Sequence, residues 1–376
     1  MTNNTRLVGK AMHSRISSDG ELKLTLETIE LPEPAADEVI VRVEAAPINP
    51  SDRLLMFAPA DPATLTVSDG ARHPTITGRV PAERLPALQG RLDQSLPVGN
   101  EGAGTVIRAG ANATALLGRT VATRDAMFAQ FKLAKAADCL ILPEGTTARD
   151  GAAASINPMT ALGMVETMRR EGHRAIVHTA AASNLGQMLV RLCKADDIPL
   201  VNIVRRPEQV DLLRSYGAEY VLDSSSPSFE TEMIEALAAT GATLAFDAIG
   251  GGRMAATIIA CMEVALMRGR PFNRYGSPVH KQVYTYGLLN PEPKIIEGNL
   301  GMAWGIGGWL MTWFLRRIGA EATSALQSRV AAEITTTFAS TYAAEISLSE
   351  ALSLDVIASY ARSATGGKYL IVPNAD

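Results

Sequence analysis

The sequence predicts an α/β fold in which a doubly wound parallel sheet follows a β-rich part, and three observations predict it. Residues 174–206 read as strand, small-residue turn, amphipathic helix and strand. From about residue 150 apolar strands and helices alternate, which means a parallel sheet covered on both faces. Before that point the pattern is short alternating strands broken by glycines.

In chain order, Glu38–Ala45 alternates apolar and polar residues as a half-buried strand does, and 104–107 and 119–122 are shorter strand candidates. Residues 57–88 are rich in Pro, Ala and Thr and carry no clear period. A loop of that length is uncommon in a compact domain and is expected to be a lid or a surface insertion. A helix is expected over Asn157–Arg170. The strand 174–179 then enters the turn Ala180-Ala181-Ala182-Ser183-Asn184-Leu185-Gly186. Leu185, Met188, Leu189 and Leu192 follow at helical spacing and give one apolar face. The next strand, Leu200–Val204, ends on Arg205 and Arg206. Further helices are expected over 207–216, 231–239 and 253–267, and further strands over 220–222, 243–247 and 282–287. Leu300–Leu315 is apolar for 16 residues and holds Trp304, Trp309 and Trp313. It is short of the roughly 20 residues of a membrane span, so a buried helix or an apolar pocket wall is expected.

The chemistry of 174–206 is that of a Rossmann dinucleotide site. Small residues let the backbone approach a pyrophosphate, and the helix N-terminus supplies amide donors and a favourable dipole. The usual G-x-G-x-x-G is reduced to Ala181-x-Ser183-x-x-Gly186. An NAD site places a carboxylate at the end of the following strand, to accept from the ribose 2′-hydroxyl. Arg205 and Arg206 stand there instead and suit a 2′-phosphate, so the reading is NADPH. The plainer alternative is a solvated pair at a loop start.

Composition sets limits. With 47% hydrophobic and 20% charged residues over 376 positions, the chain is an ordinary globular sequence with room for two domains. A net charge of −4 with no basic stripe argues against nucleic acid as a partner. Three scattered cysteines and an N-terminus without an apolar leader lead to the expectation of a reducing, cytoplasmic setting.

Several motifs resemble the medium-chain dehydrogenase/reductase superfamily, in its zinc-independent quinone oxidoreductase and enoyl reductase branches. Ala45–Asp52 resembles the A-x-x-N-P-x-D signature and Gly99–Gly104 the G-x-E-x-x-G turn. Asn157–Ala161 resembles N-P-x-T-A, Phe246–Gly251 the D-x-x-G-G strand end, and Gly366–Pro373 the closing strand. The resemblance implies three regions: a GroES-like β-rich catalytic domain over 1–153, a Rossmann NADPH-binding domain over 154–300, and a segment over 301–376 returning to the first. It also implies Asn49, Asp52 and Thr160 at the nicotinamide. The cofactor contacts are expected at Ser183, Asn184, Leu185, Gly186, Asn202, Arg205, Arg206, Ala248, Ile249, Gly250, Tyr286, Gly287 and Leu288. A homodimer is implied on the same ground. Structural alternatives stay open for the first three: a helix-start turn capped by Ser51 or Asp52, and an ordinary first-turn threonine at 160.

The alcohol-dehydrogenase branch carries a zinc-binding Cys where Asn49 stands and a His where Asn100 stands. Amides are poor zinc ligands, so no metal is expected. Enoyl-thioester reductases of the superfamily carry a proton-donating tyrosine before the Gly-Asn-Glu turn. Leu88 and Leu92 fall near that place, and residues 1–150 contain no tyrosine. Quinone reduction tolerates this, because its protons can come from water. The expected activity is therefore hydride transfer from NADPH to quinones or related α,β-unsaturated carbonyls. The alternatives are an enoyl-thioester reductase with a tyrosine from elsewhere, such as Tyr275 or Tyr284, and a dinucleotide-binding protein with little catalysis.

Overall fold

The computed structural model describes residues 6–68, 74–361 and 368–375. The chain divides into two units: Met1–Ile156 with Arg329–Asp376, and Asn157–Ser328.

The first unit is built on two sheets. One has five strands in the order Thr66–Ser68, Thr75–Arg79, Glu21–Leu31, Leu7–Ile16, Leu96–Pro97. The other centres on Glu38–Pro47, which pairs antiparallel with Glu101–Ala109, with Phe131–Lys135 and with the C-terminal strand Tyr369–Ile371. Alternation along Glu38–Pro47 puts Val39, Val41 and Val43 on buried sites while Arg42 faces out. Met12, Ile16, Leu24, Ile76, Met127 and Phe128 form the larger core.

The segment 57–88 is not a structureless insertion. Its described part holds two strands of the five-stranded sheet, and Thr75–Arg79 pairs with Glu21–Leu24. Ile76 is wholly buried there, and Val80 nearly so. Pro and Thr obscured a strand with one large apolar residue, too short for its period to stand out. Residues 69–73 lie outside the described set, as do Gly366 and Gly367 of the closing-strand motif.

The second unit is a six-stranded, all-parallel sheet in the order 220–223, 200–204, 176–179, 244–247, 281–285, 304–308. Helix Asn157–Arg170 precedes the sheet, and Asn184–Ala195, Pro207–Ser215, Phe229–Thr240 and Met254–Met267 separate its strands along the chain. The tryptophan-rich segment departs from the expected helix. Its first half is the edge strand Trp304–Gly308, paired in register with Lys281–Thr285, and only from Met311 does a helix begin. Glycine at 305, 307 and 308 hid the strand, since glycine has no strand signature. Trp309 is buried, edge-on to Phe246 at 5.5 Å, with its indole N–H donated to Thr167 Oγ1 at 3.1 Å. Because the 304–308 strand belongs to this sheet, the return to the first unit starts near Arg329 and not at 301. Among the described residues no helix is long and apolar enough to cross a membrane.

Candidate functional site

In the second unit the dinucleotide features converge on the carboxyl ends of the central strands. The turn after Ile176–Thr179 opens with Ala180 at φ +51. Ser183 caps the following helix, its hydroxyl accepting from Gly186 N at 3.2 Å. A Cβ on Gly186 would stand 2.0 Å from the Ala181 carbonyl oxygen, so the surviving glycine of the motif is the one that packing demands. Asn157 Nδ2 donates to Asn184 Oδ1 at 3.2 Å and ties the start of the 157–170 helix to this turn.

Asp247 organises the neighbouring strand end. Its buried carboxylate accepts from Thr179 Oγ1 at 2.8 Å, Ile249 N at 2.9 Å and Gly250 N at 3.1 Å. Ala248, Ile249 and Gly250 are thereby held in a tight bend beside Tyr286–Leu288, whose Tyr286 N donates to Asp247 O. Gly287 comes so close that a Cβ would meet the Ala248 oxygen at 2.6 Å. Tyr286 pairs its hydroxyl with His178 Nε2 at 2.7 Å. Burial drives the His178 pKa down to about 3, so the ring is neutral, and burial with the Asp247 charge keeps Tyr286 protonated.

Arg205 and Arg206 are exposed at the carboxyl end of Leu200–Val204. Arg206 leans on Glu208 at 3.2 Å, whereas the Arg205 guanidinium has no ion-pair partner among the described residues. Asn202 differs from the rest of the expected set. It stands inside the strand, fully buried, with Nδ2 donated to the Tyr220 carbonyl at 3.2 Å, a place from which it braces the sheet. A cavity of about 330 Å³ beside it, bounded by Lys194, Gly217, Glu219 and Tyr220, opens at the amino ends of the strands. Ligands of open parallel sheets sit at the other end.

In the first unit a buried polar cluster surrounds the start of the Pro50–Met56 helix. Asn49, not Ser51 or Asp52, is its N-cap residue. Asp52 accepts from Asn49 N and from Asn100 N, each at 2.7 Å. Asn49 Nδ2 donates to Glu101 Oε1 at 2.9 Å. Glu101 Oε2 takes the amides of Ser155 and Ile156 at 2.9 and 2.8 Å. Lys368 Nζ lies 3.9 Å from Glu101 Oε1. Burial raises the Asp52 pKa to about 7, with the Glu101 charge adding to the rise and the two amide bonds opposing it. Burial also raises Glu101 and lowers Lys368, each partly offset by the other's charge.

No model of a known protein family matches the chain. A solved structure from Mesorhizobium loti, described as a candidate NADPH:quinone reductase, is 25% identical and covers 97% of this chain and 98% of its own at a TM-score of 0.71. The mitochondrial 2-enoyl thioester reductase heterodimer of Candida tropicalis is 22% identical, covers 97% of this chain and 100% of its own, and has a TM-score of 0.68, a likeness of fold. The mouse mitochondrial enoyl-[acyl-carrier-protein] reductase is 29% identical over 206 residues, 52% of this chain and 48% of that protein. The chain spans about half the length of the curated relatives it matches. Near-complete coverage of both units makes this a likeness of the whole fold. The chain is similar in sequence and fold to reductases of the medium-chain dehydrogenase/reductase superfamily.

The β-rich first unit and the parallel-sheet second unit match the GroES-like and Rossmann layout of that superfamily's fold. The positions that carry zinc ligands in the alcohol-dehydrogenase branch are here Asn49 and Asn100, and both amides are committed, to Glu101 and to Ser51 Oγ. Among the described residues no three His, Cys, Asp or Glu side chains gather as a ligand set. The turn, the Asp247 bend and the exposed Arg205 fit a phosphorylated dinucleotide by donor chemistry: amides for the pyrophosphate, guanidinium for a 2′-phosphate. Thr160 is buried in the first turn of its helix. The alternative tyrosines are engaged elsewhere, Tyr284 with Glu171 at 2.9 Å and Tyr275 against Arg274. Sequence reasoning missed Lys368 and Asn157. Both stood inside quoted motifs, and a lysine in an apolar closing strand was the signal available.

Proposed function

We propose that the chain is a metal-independent NADPH-dependent oxidoreductase that reduces quinones or related α,β-unsaturated carbonyls. The observation that carries this is the exposed Arg205 guanidinium, without an ion-pair partner among the described residues, at the end of the second strand and in the same unit as the Ser183-capped turn. NADPH supplies a hydride when bound. Ser183, Asn184, Leu185 and Gly186 would seat its pyrophosphate, Arg205 and Arg206 its 2′-phosphate, Ala248–Gly250 its adenosine side, and Tyr286–Leu288 its carboxamide. Asn49, Asp52 and Thr160 are retained as the polar groups that act on the substrate. The names of the Mesorhizobium loti and mouse proteins support the two substrate readings, quinone and enoyl thioester. The lack of tyrosine in residues 1–150 favours quinone.

NADPH oxidation measured with a naphthoquinone, with a crotonyl thioester and with neither decides among the readings. Turnover on the quinone alone supports the first, and turnover on the thioester moves the assignment to an enoyl reductase. Tight NADPH binding with no turnover on either leaves a binding protein.

A second copy of the chain is the partner we propose. The edge strand Trp304–Gly308 leaves one side of its backbone open, and Leu288, Leu289 and Met302 are exposed in the same unit. Light scattering should return twice the 39.9 kDa chain mass, and a single-chain mass at micromolar concentration would remove the dimer. Three free cysteines, two of them buried, suit the reducing cytoplasm in which we place it.

A further inference from the structure

The cavity of about 330 Å³ at the amino ends of the second unit's strands is a concave site apart from the dinucleotide features at their carboxyl ends. Its volume falls in the range of about 300–1,000 Å³ that small molecules occupy. Burial sorts the residues that line it. Val190, Cys193 and Leu200 are buried and Ile198 half-buried, and together they supply an apolar inner wall. Asn202 belongs to that wall and is wholly buried. Its Nδ2 is committed to the Tyr220 and Leu200 carbonyls at 3.2 and 3.4 Å, while its Oδ1 has no hydrogen-bond partner. A buried acceptor left unmet is costly and calls for a donor. The mouth is exposed and carries both signs of charge, in Lys194, Asp197 and Glu219. None of the three has an ion-pair partner among the described residues. Gly217, at φ +86, makes room for the ammonium, since a Cβ there would collide with Lys194 Nζ.

We propose that this cavity binds a free α-amino acid whose apolar ring carries a single N–H donor, the chemistry of tryptophan. Asn202 Oδ1 is a neutral acceptor whose own amide has no donor left to offer. It therefore matches a group that donates and does not accept. An indole N–H is such a group, whereas a phenol brings lone pairs that would stay unmet. A charged ammonium at that depth would exchange its water for one neutral acceptor, which is costly, so the ligand's charges belong at the mouth. Lys194 suits a carboxylate there, and Asp197 and Glu219 suit an ammonium. A plain anion would meet two carboxylates and a plain amine would meet the lysine, but the zwitterionic head of an amino acid meets a counter-charge for each of its groups. The apolar wall of Val190, Ile198 and Leu200 takes the ring. The cavity meets the strand Leu200–Val204 from its amino end and Arg205 follows its carboxyl end, so the inference does not rest on the reductase reading.

Equilibrium dialysis of the full chain with radiolabelled L-tryptophan tests this. Saturable binding is expected with a dissociation constant below about 1 mM, unaffected by saturating NADPH. The analogue methylated on the indole nitrogen keeps the charges and the ring but loses the donor. It should bind about tenfold or more weakly, because Asn202 Oδ1 would again be unmet. Tryptamine, which lacks the carboxylate, and indolepropionate, which lacks the ammonium, should each bind about tenfold more weakly than tryptophan. Lys194→Ala, at an exposed position, should weaken tryptophan about tenfold and leave tryptamine unchanged. That contrast separates a lost contact from a lost fold. Equal binding of tryptophan and its methylated analogue would overturn the proposal. So would the lack of saturable binding below about 1 mM, displacement of tryptophan by NADPH, or parental affinity for tryptophan in Lys194→Ala.

Discussion

Replacing Arg205 and Arg206 together by alanine should weaken NADPH by two to four orders of magnitude and leave NADH nearly unaffected. Each guanidinium bond to a phosphate is charge-assisted and contributes about 1.5–3 kcal/mol. NADH has no phosphate at that position to lose. The two arginines should not contribute equally. Arg206 already holds Glu208 at 3.2 Å and must give up part of that contact, while Arg205 has no competing ion pair among the described residues. Arg205→Ala alone should therefore account for most of the loss. Both side chains are exposed, so thermal stability should stay within about 0.5 kcal/mol of the parent, and a weakened affinity would report on the cofactor and not on folding. Fluorescence titration with both nucleotides gives the comparison. Parallel weakening of NADPH and NADH would move the 2′-phosphate away from this strand end and take the cofactor assignment with it.

The second unit was legible in the sequence because its signals are local. Leu200–Val204 and Asn157–Arg170 have the predicted bounds, and Asn184–Ala195 carries the predicted apolar face. Each is a run of regular period closed by a recognisable cap or turn. What escaped is what depends on distant partners. Ile76 is buried because Glu21–Leu31 lies beside it, and nothing within residues 57–88 announces that pairing. Trp304–Gly308 is a strand because Lys281–Thr285 offers an open edge. The candidate site divides in the same way. The turn and the arginine pair could be read as motifs. The meeting of Asn49, Glu101 and Lys368, more than 310 residues apart at its extremes, needed the closing strand to be laid against Glu38–Pro47. Asn202, expected at the cofactor, lies fully buried inside its strand with Nδ2 donated to the Tyr220 carbonyl, a placement its neighbours in sequence do not announce.

The same assembly makes Glu101 the side chain whose removal should cost the first unit most. Its carboxylate is wholly buried and satisfies three N–H donors, from Asn49, Ser155 and Ile156, besides holding the charge of Lys368. Glu101→Ala strands all of them in a dry interior. Breaking a buried ion pair from one side costs about 3–5 kcal/mol, and each backbone amide left without an acceptor adds to it. For a unit of this size that corresponds to a fall of roughly 10 °C or more in Tm. Glu101→Gln should be milder. Its amide oxygen can keep the Ser155 and Ile156 donors, but its NH2 then faces Asn49 Nδ2 and the Lys368 ammonium, donor against donor. If the loss runs through the stranded lysine, removing that charge as well should recover part of it. The double variant Glu101→Leu with Lys368→Met should then be more stable than the two single losses summed, because an apolar pair of similar volume often replaces a buried ion pair at little cost. Thermal unfolding of the four proteins closes the cycle. Strict additivity would show that Glu101 and Lys368 are independent across their 3.9 Å, and the polar cluster would lose its standing as one unit.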